Sequence, residues 1–343
     1  MNNLSNNLPG LAIIRTVCAF SILFGHFYQF GDWGDLELVP VALPEIYLPV
    51  VTFFVITGFL MTWSFLHEED ASGDISVINS YKRRAKRILP LYYIGIATGL
   101  LALWICGDRV EGNLWGLIFL QPNITHLLGT TPFPLWHYWF LGVEVTFYLL
   151  YPLLFKISRQ HRLPIIASVA IIWLLAKWSA YVFLGKGFVY HYLGATQMDT
   201  ILWGSVVAIL FYEQQSWLIR ICRSVWFAIF AWALFLSTQL WVPLLPSPIR
   251  SLVITVVSIM VILSGFCGHP VLENRVTHFF SKISYGIYIF HPIMIYVCAK
   301  GLKLLPFQLG LGVSVALVVL VTIVIATLMH HLCARVSKHT KTM

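Results

Sequence analysis

The sequence predicts an all-α integral membrane protein: one polytopic domain over residues 1–343, a bundle of about ten transmembrane helices with both termini cytoplasmic. Three observations carry this expectation. Of the 343 residues 59% are hydrophobic and 10% charged, with a mean hydropathy of +0.81, a composition outside the range of soluble domains. Apolar runs of about 17 to 25 residues, each long enough to cross a hydrocarbon core of about 30 Å, recur along the chain. Lys and Arg are also divided unequally between alternate loops.

The expected spans lie near residues 8–30, 47–66, 89–106, 135–156, 163–183, 198–214, 224–241, 249–267, 283–301 and 309–331. The first lacks a basic leader and a small-residue cleavage site, and Arg15 interrupts its apolar run, so it is read as a retained span rather than a removed signal peptide. Residues 112–121, GNLWGLIFLQ, are too few to cross alone and are expected to form an interfacial or re-entrant piece. About a dozen residues follow the tenth span, so no appended domain is expected.

Orientation follows from the bases. With the N-terminus inside, fifteen Lys and Arg fall in cytoplasmic segments, against Arg109, Lys186, Arg250, Lys300 and Lys303 outside. The first outer loop, GDWGDLELVPVALPE, has four acids and no base. The net charge of +8 thus reflects topology, and no nucleic-acid partner is expected. The six cysteines are scattered without a CxxC pair, which argues against a zinc site or a disulfide framework. They read as small buried hydrophobes, and no metal is expected.

Within this apolar background a few polar residues stand out. Arg15 and His26 are eleven positions apart in the first span. At about 100° per residue they share one helix face, separated by roughly 16 Å along the axis. Ionisable groups inside a span are costly and usually face the bundle interior or a wet cavity. The competing reading has Arg15 snorkelling to the cytoplasmic surface and His26 as a satisfied buried histidine. Glu144 lies within the fourth span, in HYWFLGVEVTFYLLYP, where its charge needs a partner. A carboxylate on a ring nitrogen of His26 would orient the imidazole and raise its basicity. Asp199 opens the sixth span in QMDTILWGS, where a structural polar network is favoured. His291 lies in ISYGIYIFHP, and because Pro292 frees a carbonyl one turn back, the histidine can simply mark a kink.

Outside the spans the densest signal is KRRAKR, residues 82–87, with five bases in six positions. If helical, Arg84 and Arg87 project to one side at i and i+3, a geometry suited to gripping phosphates. Positive-inside anchoring and attraction to anionic lipid headgroups are the competing accounts.

Taken together these segments resemble the membrane acyltransferase family 3, whose members O-acylate carbohydrates and some other hydroxylated compounds. The likeness covers nearly the whole chain. It rests on the Arg15 to His26 arrangement, FFVITGFL at 53–60, RRAKRILP at 83–90, WFLGVEVTFYLLYP at 139–152 and ISYGIYIFHP at 283–292. The resemblance implies an integral acyltransferase of the inner (cytoplasmic) membrane that uses a cytoplasmic acyl-CoA, most often acetyl-CoA, as co-substrate. Its acceptor would be a hydroxyl of a cell-surface or exported glycan or lipid-linked glycan. Arg15 and His26 match the family's essential first-span pair, Arg84 and Arg87 its RxxR motif, and Glu144 the Glu of its WSLSVEE-like motif. The chain looks like the stand-alone form, without a fused esterase-like domain. It departs from the pattern at Thr57, where Ser is usual, at Val145, where a second acid is usual, and at Gln197, where Arg is often found. The Glu-x-Pro usual after the last span is missing from MHHLCARVSKH.

The expected chemistry joins both lines. Arg84, Arg87 and Arg15 would guide CoA from the cytoplasm, and His26 would act as general base on the acceptor hydroxyl or accept the acyl group itself. Glu144 would hold the imidazole in the productive tautomer. The outer segments 31–46, 107–134 and 184–197, rich in Trp, Tyr, His and Asn, would recognise the acceptor. The alternatives are acylation of a small secondary metabolite such as a macrolide, or a proton-coupled transporter or flippase using Arg15, His26 and Glu144 as its pathway.

Overall fold

The computed structural model describes residues 10–31, 46–185, 187–267, 274–306 and 309–339. The acidic first outer loop therefore lies almost wholly outside the described residues, as does Lys186. Among the described residues all regular structure is helical. In order the helices are α1 Leu11–Phe30, α2 Tyr47–Ser72, α3 Val77–Ile105, α4 Trp115–Ile118, α5 Pro122–Leu127, α6 Trp139–Phe155, α7 Arg159–Phe183, α8 Phe188–Thr196, α9 Met198–Tyr212, α10 Ser216–Cys222, α11 Val225–Trp241, α12 Ser247–Ser264, α13 Arg275–Leu302 and α14 Leu311–His339.

Seven of the described helices are long and apolar enough to cross a membrane: Tyr47–Ser72, Val77–Ile105, Trp136–Phe155, Arg159–Phe183, Phe188–Tyr212, Arg275–Leu302 and Leu311–Ala334. The pair Ser216–Cys222 and Val225–Thr238, bent by 71°, passes the same test jointly, and Leu11–Phe27 and Ile249–Ser264 are shorter apolar helices. The protein is an all-α polytopic membrane protein. Its helices differ from the expected spans chiefly at their ends. Helix α3 starts at Val77, so KRRAKR is helical and continuous with the apolar part of that helix. The short segment before α6 forms α4 and α5, which meet at Gln121. Between α8 and α9 the backbone turns at Gln197, a non-glycine residue at φ +47°.

The chain divides into two compact units. The first comprises Met1–Cys18, Tyr47–Ser80 and Val143–His278. Its tightest packing is between α2 and α9, where glycines let the backbones meet. A Cβ at Gly58 would lie 1.8 Å from the Ile201 carbonyl oxygen, and one at Gly204 would lie 2.1 Å from that of Val55. In lipid, where burial of apolar surface does not drive helix association, such close approach and interhelical hydroxyl bonds do. Thr52 with Ser258 at 2.9 Å and Thr200 with Thr255 at 3.2 Å supply the hydroxyl pairs. At the end of α2 predicted to be cytoplasmic, Arg162 forks onto Glu69 with two 2.8 Å bonds, and Arg159 reaches Asp70 at 2.6 Å.

The second unit comprises Ala19–Ile46, Tyr81–Gly142 and Phe279–Met343. Here tyrosines tie elements together through backbone carbonyls. Tyr92 donates to Leu117 at 2.9 Å and Tyr93 to Ile118 at 3.0 Å, holding α4 against α3, and Tyr285 donates to Ile88 at 3.2 Å, holding α13 against α3. Phe27 and Phe30 of α1 pack with Ile295 of α13 and Val318 of α14. That packing fixes the end of α1 that carries His26.

Candidate active site

Helix α1 is continuous through Arg15 and His26, so the two side chains hold the common azimuth expected of an eleven-residue step. Both are half-buried. The ring of His26 meets a second histidine: its Nδ1 lies 2.8 Å from Nε2 of His291. The ring planes are 7° from parallel and the centroids 5.1 Å apart. That separation equals the nitrogen-to-nitrogen distance extended by the two ring radii, so the rings meet end to end in one plane rather than face to face. A proton between them then lies on the line joining donor and lone pair, the favoured geometry. The other nitrogen of His291, Nδ1, is 2.9 Å from the carbonyl oxygen of Ile287, one turn back in α13. His291 is fully buried.

A third histidine borders the pair. His137, in the turn leading into α6, approaches His291 at 5.4 Å between centroids with planes 61° apart. Its Nε2 donates to the Ile289 carbonyl at 3.2 Å, and the Tyr288 hydroxyl donates to the carbonyl of His137. The Phe30 ring packs against His26 at 5.0 Å and against His137 at 6.1 Å between centroids.

Arg84 and Arg87 lie three apart on α3, the first half-buried and the second exposed, as the helical reading of KRRAKR requires. In the first unit Glu144, buried in α6, accepts a 2.5 Å hydrogen bond from the hydroxyl of Thr57 on α2. The FFVITGFL and WFLGVEV segments thus meet through their two polar side chains, and the hydroxyl kept at Thr57 has a task. The nitrogen facing His26 Nδ1 belongs to a histidine, so the ring orientation expected from a carboxylate is supplied by His291. Asp199 is buried and gripped by Lys177, whose Nζ lies 2.7 and 2.9 Å from its two oxygens and 3.1 Å from the Ser251 hydroxyl. This is the structural network favoured for Asp199.

Sequence reasoning passed over two of these residues. Of the chain's 22 Lys and Arg, Arg15 and Lys177 are the two that lie more than two residues inside the ends of an expected span. The cost of a buried base therefore pointed to Lys177 as strongly as to Arg15. His137 stands at the very start of its span, where a histidine reads as interfacial, and only the tertiary fold brings it to His291.

Comparison with known proteins adds the family. The acyltransferase family 3 signature, described as an acyltransferase domain, matches residues 8–331. The chain belongs to the membrane acyltransferase family 3. Among curated relatives, "Putative O-acetyltransferase SACOL0978" of Staphylococcus aureus (strain COL) is 30% identical over 224 residues, 59% of this chain and 35% of that protein. "O-acetyltransferase OatA" of S. aureus (strain NCTC 8325) is 27% identical over 229 residues, 59% of this chain and 34% of that protein. The chain spans about a third of the length of these relatives. No solved structure matches. Within this acyltransferase family member the described residues contain no group of three or more His, Cys, Asp or Glu arranged to hold a metal ion.

Proposed function

We propose that the chain is a membrane O-acyltransferase that moves an acyl group, acetyl in the first instance, from acyl-CoA to a hydroxyl of a glycan. Family membership and the O-acetyltransferase names of the relatives support the reaction class. The observation that carries the site is the held ring of His26: a half-buried histidine whose Nδ1 is engaged by His291, while its Nε2 has no hydrogen-bond partner among the described residues. Nε2 takes the proton of the acceptor hydroxyl as its oxygen attacks the thioester carbonyl. The C–S bond breaks as the C–O bond forms, and the proton passes from His26 to the departing CoA thiolate. Arg84 and Arg87 grip the phosphates of CoA at the membrane surface. Arg15 and Glu144 keep the essential roles implied by the family motifs that they match. The inner membrane is the site of action, since both a cytoplasmic donor and an exported acceptor meet there.

The test is transfer from radiolabelled acetyl-CoA in purified membranes, with host surface glycan as acceptor and matched expression of wild type, His26→Ala and Arg84→Ala. Label in glycan with wild type alone supports the reading. Label that persists with His26→Ala removes His26 from the chemistry, and label on the protein in the absence of acceptor replaces direct transfer by an acyl-histidine route.

A further inference from the structure

We propose that His291 is a positioning residue for His26: it dictates which ring nitrogen of His26 carries the proton and so sets Nε2 as the atom that accepts the hydroxyl proton. The inference rests on the role of His26 given above.

The tautomers of both rings follow from one carbonyl. A carbonyl oxygen can only accept, so the Nδ1 of His291, 2.9 Å from the Ile287 oxygen, carries a hydrogen. A neutral imidazole has a single N–H, so Nε2 of His291 presents a lone pair. His26 Nδ1, 2.8 Å away and in plane, must therefore be the donor. Its proton assigned, His26 is left with a bare Nε2. This order, carbonyl to His291 to His26, does what a carboxylate does for the histidine of a catalytic triad. It does so without a charge, which suits a site where His291 is wholly buried.

The arrangement also favours the transition state over the ground state. As Nε2 of His26 takes a proton the ring becomes an imidazolium, and its Nδ1–H bond to His291 becomes charge-assisted, shorter and stronger. A kink at Pro292 frees the carbonyl of Tyr288, four residues back, and not the Ile287 carbonyl that Nδ1 of His291 meets. It leaves unexplained the second nitrogen, aimed end on at a ring 265 residues away in the chain. The His137 ring, 5.4 Å from that of His291 and itself anchored to Ile289, walls the pair and limits rotation of the His291 ring.

The experiment compares acetyl transfer by wild type, His26→Ala, His291→Phe and His291→Gln, with detergent melting curves to establish folding. Gln can donate to Ile287 and accept from His26, whereas Phe keeps the shape and loses both. Expected are a fall in kcat on the order of 100-fold for His291→Phe, the low end of what a general base contributes. KM for acetyl-CoA should stay within about twofold, and His291→Gln should recover most of the loss. Equal losses in the two His291 variants, or a change confined to KM, overturn the proposal, while undiminished transfer by His26→Ala overturns the underlying reading instead. Should the variants not fold, wild type labelled with nitrogen-15 in its histidines decides. A coupling through the hydrogen bond between a protonated Nδ1 of one ring and a bare Nε2 of another supports the assignment. Its absence, or protonation of the coupled Nε2, overturns it.

Discussion

The two compact units bury their polar groups in opposite ways. The first buries charge and cancels it: Lys177 and Asp199, each about 4% exposed, face each other at 2.7 Å with Ser251 as a third partner. The second buries neutral rings in a chain, His26, His291 and the flanking His137, with the Tyr288 hydroxyl tied to the His137 carbonyl beside them. A closed ion pair uses up its hydrogen-bonding capacity and has nothing left to offer a substrate. The chain from the Ile287 carbonyl through His291 to His26 is satisfied at every nitrogen but its last, Nε2 of His26, while the flanking His137 keeps its Nε2 bonded and its buried Nδ1 without a partner among the described residues. The difference teaches where to look for chemistry in such a bundle: not at the strongest buried interaction, but at the network with one atom to spare.

The sharpest way to break this contrast is in the ion pair. Asp199→Leu leaves Lys177 buried without its counter-charge, which costs about 3–5 kcal/mol, and the melting temperature in detergent should fall or the protein fail to accumulate. The double variant Lys177→Met with Asp199→Leu removes both charges and should restore most of the stability and retain acetyl transfer. A folded double variant without transfer would place this pair in the chemistry and erase the distinction between the units.

How far the sequence revealed this arrangement depended on whether the signal was local. Helix was legible wherever apolar runs were long, and the exclusion of charge from lipid singled out Arg15, His26 and Glu144 one by one. Helix ends were less legible, because a charged amphipathic turn extends an apolar helix without a change of backbone. This is why α3 reaches back through KRRAKR to Val77. Interhelical partners were illegible. Periodicity gives the face of one helix but not its azimuth toward another, so neither the His26 to His291 contact nor Thr57 beneath Glu144 could be read. The family pattern marked position 57 as one that keeps a hydroxyl, and the fold supplied the reason.

That hydroxyl gives an intermediate test. Thr57→Val keeps the shape and removes the donor to a buried carboxylate, a charged hydrogen bond worth about 1.5–3 kcal/mol. Thr57→Ser keeps the donor and should cost only a small fraction of that. Melting curves rank the three proteins, with wild type and Thr57→Ser close together and Thr57→Val lower. Acetyl transfer should follow the same order. A Thr57→Val protein of wild-type stability would mean that Glu144 does not depend on this bond, and would leave the first unit's polar interior less tightly matched than the contrast requires.

The smallest effect lies at the surface, where both units carry an acid outside the helices. In the first, Lys156 and the Ile75 backbone N–H hold the Asp74 carboxyl below the usual carboxylate range. In the second, the hydroxyl of Tyr296 at 2.5 Å and the ammonium of Lys300 do the same for Asp108. A carboxyl whose pKa is depressed on folding contributes stability that is fully present above its unfolded value of about 3.9 and is lost as pH falls through the lower folded value. The melting temperature should therefore be insensitive to these acids from pH 7 down to about 5, and decline below about 4. Because both groups are largely solvated, screening keeps the contribution small. Asp108→Asn should lower the melting temperature by about one to two degrees at neutral pH and flatten the acid limb. A steep loss between pH 5 and 7 would instead point to titrating histidines, and would shift the pH-sensitive element from these surface pairs to the buried rings of the second unit.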